Sequence, residues 1–133
     1  MRRVVLDTSA YSAFKRGQRE AVQAVASAER LLLSAIVLGE LRAGFARGNR
    51  ARTNEAELVR MLEAERVDAV AVDVETSERY AVIVDSLRRA GTPVAANDIW
   101  IAACAMQHGA VVLTADRDFQ RIAQVVVELL PPP

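Results

Sequence analysis

The chain has one cysteine, one histidine and one lysine among its 133 residues. Because Cys104 has no partner for an internal disulfide and lies in an apolar segment, we expect a reduced, buried thiol, which suits the cytoplasm. One His and one Cys cannot assemble the usual structural or catalytic zinc sites. The single His108 precedes Gly109 at a predicted helix end, so a nucleophile triad or a pair of acid–base histidines is also excluded.

Long hydrophobic runs are missing as well. No apolar segment approaches the roughly 18 residues of a membrane span, and the amino terminus lacks the apolar region and cleavage site of a signal peptide. There is no glycine-rich phosphate loop. We therefore expect a cytoplasmic protein with no membrane partner. With 52% hydrophobic and 26% charged residues, residues 1–133 have the length and composition of a single domain with its own core.

The formal net charge is +0, which argues against binding to nucleic acid by bulk electrostatics. The local distribution is uneven, because residues 41–54 contain four arginines and no acid. Two interpretations remain open: a solvated turn between two helices, or a patch that contacts phosphates. The four are Arg42, Arg47, Arg50 and Arg52.

Short apolar segments alternate with helical patterns along the chain. This alternation predicts an α/β sandwich with a mainly parallel sheet, in which ligands bind beyond the carboxyl ends of the strands. The predicted N-caps are Thr8 or Ser9, Ser34, Thr53 or Asn54, Thr76 or Ser77, and Asn97. Strands are predicted at about 3–7, 31–33, 70–72, 110–114 and 125–129, and helices at about 8–16, 19–29, 35–47, 53–65, 76–90 and 97–108, with a helical turn at 119–122.

Four acidic residues stand at or near the edges of apolar segments: Asp7, Glu40, Asp98 and Asp116. No Lys or Arg lies at helix or strand spacing from the first three, and the helical neighbours of Glu40 are apolar or tiny, so its charge is costly unless something pairs with it. Simpler interpretations stay open for two of them. Asp7 is also a typical helix cap, and Asp118 competes with Asp116, since either serves as an ordinary turn residue.

An all-oxygen cluster of carboxylates suits Mg²⁺ or Mn²⁺. Such ions orient a scissile phosphate and activate a water, so that the metal replaces a protein base. The hydroxyls of Ser9 and Thr114 either orient these carboxylates or form turns.

Four segments of the chain resemble the PIN-domain nucleases, in particular the VapC ribonuclease toxins of bacterial toxin–antitoxin pairs. The segments are 6–9 (Leu-Asp-Thr-Ser), 40–44 (Glu-Leu-Arg-Ala-Gly), the Asn97-Asp98 start of an alanine-rich helix, and 114–119 (Thr-Ala-Asp-Arg-Asp-Phe). In order and spacing they span nearly the whole chain.

The resemblance implies a three-layer PIN-like sandwich with a central, mainly parallel sheet, an acidic Mg²⁺ or Mn²⁺ pocket, hydrolysis of RNA, a homodimer, and a small antitoxin that blocks the site. The metal-binding and catalytic set that it implies is Asp7, Glu40, Asp98 and Asp116. Residues expected to support that set or to contact RNA are Thr8, Ser9, Asn97, Thr114, Asp118, Arg42, Arg47 and Arg50.

The expected reaction is endonucleolytic hydrolysis that leaves a 5′-phosphate and a 3′-hydroxyl. One alternative is a non-catalytic PIN-like module that binds RNA or protein, and the presence of all four acids argues against it. A second alternative is an aspartyl-phosphate enzyme or signal receiver. Those proteins use a lysine near the phosphoryl group, whereas Lys15 is poorly placed here, and Ser9 stands where such a phosphatase has a second Asp.

Overall fold

All strands of the central sheet run parallel to their neighbours. The structure, a computed structural model, describes residues 2–133, and this part of the chain forms five strands and six α-helices. In chain order they are β1 (Arg3–Leu6), α1 (Thr8–Lys15), α2 (Arg19–Ser27), β2 (Arg30–Ser34), α3 (Ala35–Arg47), α4 (Ala51–Leu62), β3 (Val67–Val70), α5 (Val74–Ala90), α6 (Ala96–His108), β4 (Val111–Thr114), a 3₁₀ turn (Arg117–Arg121) and β5 (Val127–Leu129).

The strand order is β3-β2-β1-β4-β5. Strands β2 and β3 are added on one side of β1, and β4 and β5 are added on its other side. Because parallel crossovers are right-handed, α1–α4 are expected on one face of the sheet and α5–α6 on the opposite face. Burial agrees, because the successive residues Val4, Val5 and Leu6 point to alternate faces and all three are fully buried. The expected α/β sandwich with a parallel central sheet is therefore confirmed.

The reversal of strand order lies between β1 and β4, which is where open α/β sheets form a binding crevice. Leu6 pairs with Leu113 in the register of these strands, so the next residues, Asp7 and Thr114, emerge side by side at the carboxyl edge. The backbone N–H of Asp7 donates to the carbonyl of Leu113 (3.3 Å). The fold thus brings together two residues that are 107 positions apart.

The third strand was predicted at 70–72, and this was wrong. β3 occupies Val67–Val70 and pairs with Leu31–Ser34, which places Asp68 opposite Leu32. The side chain of Asp68 reaches diagonally to Arg30 and forms a bidentate ion pair with it (2.6 and 3.1 Å). The apolar run that suggested the later position continues beyond the sheet, where Val72 and Val74 are exposed. On this edge strand the pairing with β2, and not the hydrophobic run alone, determines where the strand lies, and the Arg30–Asp68 ion pair is compatible with that register.

Helix starts were predicted less well than helix bodies. Ser34 does cap α3, accepting from the N–H of Val37 (3.2 Å). The cap of α1 is Asp7 itself, rather than Thr8 or Ser9. Helix α4 begins at Ala51, so Thr53 and Asn54, which were expected to start or continue this helix, continue it, and the side chain of Arg50 at the N-cap position makes no capping bond.

Helix α6 begins at Ala96 with Ala95 at the N-cap position, so the predicted cap Asn97 lies inside the first turn. Its side chain is thereby available for contacts elsewhere. The body of α6 runs through the interior as expected, with 101–105 buried. It includes Cys104, and burial raises the pKa of that thiol to about 11, which keeps it protonated. In the described part of the chain no helix is both long and apolar enough to cross a bilayer.

The first turn of α5 is held by a capping box whose N-cap is Asp73, and not Thr76 or Ser77. Thr76 is fully buried, and its hydroxyl accepts from the N–H of Asp73 (3.0 Å) while lying 2.5 Å from Oε1 of Gln107 on α6. One hydroxyl therefore closes the cap and ties α5 to α6.

Replacing this hydroxyl by a methyl in Thr76→Val should lower the free energy of unfolding by about 1–3 kcal/mol, because the N–H of Asp73 and the amide of Gln107 lose a buried partner. Chemical denaturation measures the change. Ser77→Ala is the matched control, since Ser77 is exposed and bonds only the carbonyl of Val74, and it should shift stability by less than about 0.5 kcal/mol. Equal effects of the two substitutions would contradict the role given to Thr76.

Candidate active site

Asp7 is the most enclosed acid of the crevice, with 4% of its surface exposed. Its Oδ1 accepts from the N–H of Ala10 (2.8 Å) and the hydroxyl of Ser9 (2.7 Å), and its Oδ2 accepts from the hydroxyl of Thr114 (2.6 Å). Burial raises the pKa of Asp7, and these three donors hold part of that rise back. The helix-cap interpretation is thus correct for one oxygen, and the same carboxylate also faces the crevice.

Ser9 and Thr114 connect the ends of β1 and β4. The Ser9 hydroxyl accepts from the N–H of Ala115 (2.9 Å), the Thr114 hydroxyl accepts from the N–H of Asp116 (2.9 Å), and the two oxygens lie 3.3 Å apart. The two interpretations offered by the sequence therefore both hold. Each hydroxyl fixes the turn after β4 by accepting a backbone N–H and orients Asp7 by donating to it.

Glu40 projects from α3 and is half-buried. Its Oε1 accepts from the hydroxyl of Thr8 (2.7 Å) and its Oε2 from the amide of Asn97 (3.1 Å). The helical neighbours of Glu40 gave no sign of these partners, because Thr8 lies on α1 and Asn97 on α6. Thr8 directly follows Asp7, and Asn97 directly precedes Asp98. The two hydrogen bonds therefore hold the Glu40 carboxylate near both of these acids.

Asp98 is the centre of the charge cluster. Burial, a hydrogen bond with the Asp116 carboxyl, and the negative charges of Asp116, Asp7 and Glu40 raise the pKa of Asp98 to about 7. At neutral pH Asp98 therefore retains its proton in part of the molecules. The other three predicted acids, Asp7, Glu40 and Asp116, all act electrostatically on Asp98.

None of the ion pairs in residues 2–133 involves these four acids. Asp118, the possible fifth member, pairs instead with Arg121 at 3.6 Å. Its backbone N–H donates to Oδ1 of Asp116 (2.9 Å), so residue 118 supports Asp116 through the main chain while its carboxylate lies against an arginine. The negative charge of the crevice is left without a neutralising side chain in the described part of the protein.

The donor set fits a hard divalent cation in type and in charge: it contains oxygen ligands only, is partly desolvated and carries excess negative charge. As the side chains stand, no three acidic, imidazole or thiol groups among residues 2–133 are placed to hold one ion together. The side-chain environment accounts for part of this, because the raised pKa of Asp98 favours its protonated form and both oxygens of Asp7 are occupied by hydroxyl donors. Binding of a cation would displace that proton, as is usual at carboxylate sites.

The arginines of the α3–α4 turn differ in their surroundings. Arg42 forms three hydrogen bonds with the carboxylate of Glu55 (2.8–3.2 Å) and is neutralised by it. Arg47, Arg50 and Arg52 are exposed and have no side-chain hydrogen bond or ion pair with residues 2–133.

Comparison of the sequence with known proteins identifies the family of this chain. The sequence pattern of the PIN domain matches residues 4–125. Ribonuclease VapC4 of Mycobacterium tuberculosis is 36% identical over 95 residues, which cover 71% of this chain and 73% of that protein.

Solved structures agree in fold. A DNA-bound VapBC from Salmonella typhimurium superposes with a TM-score of 0.82 at 27% identity, covering 96% of this chain and 98% of that one. VapBC-5 from Mycobacterium tuberculosis, a member of the VapBC family of toxin–antitoxin systems, superposes with a TM-score of 0.76 at 25% identity, covering 98% of this chain and 100% of that one.

Asp98→Asn should stabilise the metal-free protein at pH 8 and stabilise it by a smaller amount at pH 5. The pKa of Asp98 rises from 3.8 to about 7 on folding, so between these values the folded state binds more protons and stability falls as pH rises. We expect a gain in Tm of about 4 °C at pH 8, which corresponds to ~1 kcal/mol, below the full pKa displacement because Asp98 is only partly buried and solvent screens its charge.

Melting curves in EDTA at the two pH values measure this. A difference in Tm between the variants that is the same at pH 5 and pH 8 would contradict the charge repulsion assigned to Asp98.

Proposed function

The chain belongs to the PIN domain family and, within it, to the VapC ribonucleases, and we propose that it is an endoribonuclease toxin that hydrolyses RNA phosphodiesters with Mg²⁺ or Mn²⁺ in the crevice between β1 and β4. The observation that supports this proposal most directly is that Asp7, Glu40 and Asp116 are all close enough to act electrostatically on Asp98, with no described ion pair to offset the four charges. Such a site favours a cation over a neutral ligand.

Asp98 and Asp116 are the proposed primary ligands of the divalent cation, and Asp7 and Glu40 contribute further negative charge beside them. A bound divalent ion supplies Lewis acidity at the scissile phosphate and favours ionisation of the attacking water. Asp98 must first release its proton, so we expect cation affinity to increase from pH 6 to pH 8. Glu40, fixed by Thr8 and Asn97, is held at the edge of this group rather than at its centre.

Ser9 and Thr114 are proposed as positioning residues for Asp7. Both oxygens of the Asp7 carboxylate are engaged by these hydroxyls, which fix its rotation about the Cβ–Cγ bond. Hydrogen bonds to the carboxylates that surround a metal site typically tune affinity in this way. Asp118 is proposed to act on Asp116 through its N–H only.

The proposed partners follow from the relatives. VapBC-5, which covers the whole length of this fold, belongs to a toxin–antitoxin system, and we infer a small antitoxin protein as the partner of this chain. We further propose a single PIN domain that acts as a homodimer in the cytoplasm, where the protonated thiol of Cys104 would remain reduced.

Asp98→Asn should abolish Mg²⁺- or Mn²⁺-dependent cleavage of single-stranded RNA, lowering the rate by about 10³-fold or more, because the central carboxylate loses its charge while its shape is kept. Millimolar Mn²⁺ should also raise the Tm of the wild-type protein, EDTA should reverse the rise, and the variant should lack most of it. Denaturing gels of labelled RNA and melting curves provide the two readouts.

Asp68→Asn is the matched control, since Asp68 is an acid on β3 that pairs with Arg30, away from the crevice. It should cleave RNA like the wild-type protein. A purified wild-type protein that binds RNA and leaves it uncut in Mn²⁺ would instead identify a non-catalytic binding module.

We also propose that Arg47, Arg50 and Arg52, called the arginine patch, hold RNA phosphates beside the acidic crevice. These three guanidinium groups are exposed and unpaired within the described residues, whereas Arg42 is occupied by Glu55. Arginine in this state is free to make bidentate contacts with phosphate oxygens. The patch compensates for a catalytic crevice that otherwise repels its polyanionic substrate.

Arg47→Ala combined with Arg50→Ala should weaken RNA binding for all sequences and flatten its dependence on salt, because each lost phosphate contact removes about 0.7 counterions from the release term for a single strand. Filter binding at several salt concentrations, in the Asp98→Asn background, measures the slope. Arg19→Ala with Arg79→Ala removes the same charge from α2 and α5 and serves as control. If both pairs change the slope equally, the arginine patch has no special role.

A further inference from the structure

The connection between α5 and α6 borders a cavity of about 310 Å³. Its wall is mostly apolar, formed by Val84 and Leu87 of α5 together with Val94 and Ile99 at the start of α6. A volume of this size lies at the lower end of the range of about 300–1,000 Å³ found for small-molecule sites, which is room for one planar ring system.

Two polar groups belong to the same cavity. The hydroxyl of Thr92 is buried and has no hydrogen-bond partner within residues 2–133, although a buried hydroxyl ordinarily has one. Arg88 lies at the border, exposed and without an ion pair among the described residues, whereas its neighbour Arg89 pairs with Asp85. An unsatisfied hydroxyl and a free guanidinium around an apolar wall match a ligand that has a flat apolar face, polar edges and a negative charge nearby.

Two connections link the wall of this cavity to the acidic residues. Ile99, which lines it, directly follows Asp98 in α6. On the other side Arg121 donates to the carbonyl of Pro93, which also lines the cavity, at 2.9 Å. The same arginine pairs with Asp118, whose N–H binds Asp116. The cavity wall is therefore tied to the two central acids from two directions.

We propose that this cavity is a base subsite, which receives one nucleobase of the RNA adjacent to the cleaved phosphate; the proposal rests on the proposed ribonuclease function. The ring lies against Val84, Leu87 and Val94, the Thr92 hydroxyl bonds an edge of the base, and Arg88 contacts the neighbouring phosphate. Proteins that read single-stranded RNA commonly bind a splayed base by apolar contact and edge hydrogen bonds. The base subsite would thus contribute to the choice of cleavage position.

Two substitutions test the base subsite. Val84→Phe fills the cavity, and Thr92→Val removes the hydroxyl without changing its shape. The matched control is Val82→Phe, which adds the same ring to an exposed position of α5 that does not line the cavity. The probe is a pool of single-stranded RNAs with twelve randomised positions, cleaved in Mn²⁺, with the new ends sequenced.

The wild-type protein and Val82→Phe should favour one base over another by about tenfold at one position next to the cut. Val84→Phe should reduce this preference to nearly onefold. Thr92→Val should reduce the same base preference by roughly three- to tenfold, because it removes one hydrogen bond to the base. Preferences at other positions should persist in both variants.

The outcomes separate the two proposals. A wild-type protein that leaves the pool uncut defeats the ribonuclease function and the base subsite with it. Cleavage with an unchanged preference in both cavity variants, or with no preference beside the cut in the wild type, overturns the base subsite alone. Light scattering completes the test, because a change of oligomeric state in Val84→Phe would show that a second copy occupies this face, which also overturns the proposal. If Val84→Phe fails to fold, Thr92→Val decides.

Discussion

The negative charge gathered at the carboxyl ends of β1 and β4 is the constraint on which the other features of this protein depend. Burial together with three neighbouring acids raises the pKa of Asp98 to about 7, and no ion pair within residues 2–133 relieves them. A carboxylate cluster of this kind costs folding free energy unless a proton or a cation compensates. Below its raised pKa, the proton of Asp98 fulfils this role. Function, in the proposed reaction, begins when a divalent cation replaces it.

The sheet topology brings the residues of the site together, and two hydroxyl groups fix their orientation. Reversal of the strand sequence beside β1 brings Asp7 next to Thr114, and the register of β1 on β4 fixes how they meet. Ser9 and Thr114 each accept a backbone N–H and donate to Asp7, so the turn after β4 and the carboxylate position depend on the same two side chains. A substitution at either would disturb the turn and the acid together, which distinguishes them from ordinary turn residues.

The four acids and the parallel sheet were predictable because both depend on local signals: short apolar segments that end in polar residues, and carboxylates without basic neighbours. The partners of those acids were not. Glu40 meets Thr8 and Asn97 across 32 and 57 residues of chain. Asn97 was predicted as a cap, but the helix begins one residue earlier, so the Asn97 amide makes no capping bond and donates to Glu40 instead. The position of β3 was mispredicted for a similar reason, since its register depends on pairs that are distant in the sequence, such as Leu31 with Val67.

The arrangement of charge around the crevice also solves a problem of substrate approach. Helix α3 carries Glu40 and, seven residues later, Arg47, which places the arginine about 10 Å farther along the axis. This exceeds the Debye length of about 8 Å at physiological ionic strength, so an RNA phosphate at the arginine patch is largely screened from the carboxylates. In the proposed function, RNA therefore binds the arginine patch before the crevice is neutralised, and only the phosphate that enters the crevice requires a cation. On this proposal, attraction and repulsion act on different phosphates of one strand, so that a chain of zero net charge can bind a polyanion beside a cluster of acids.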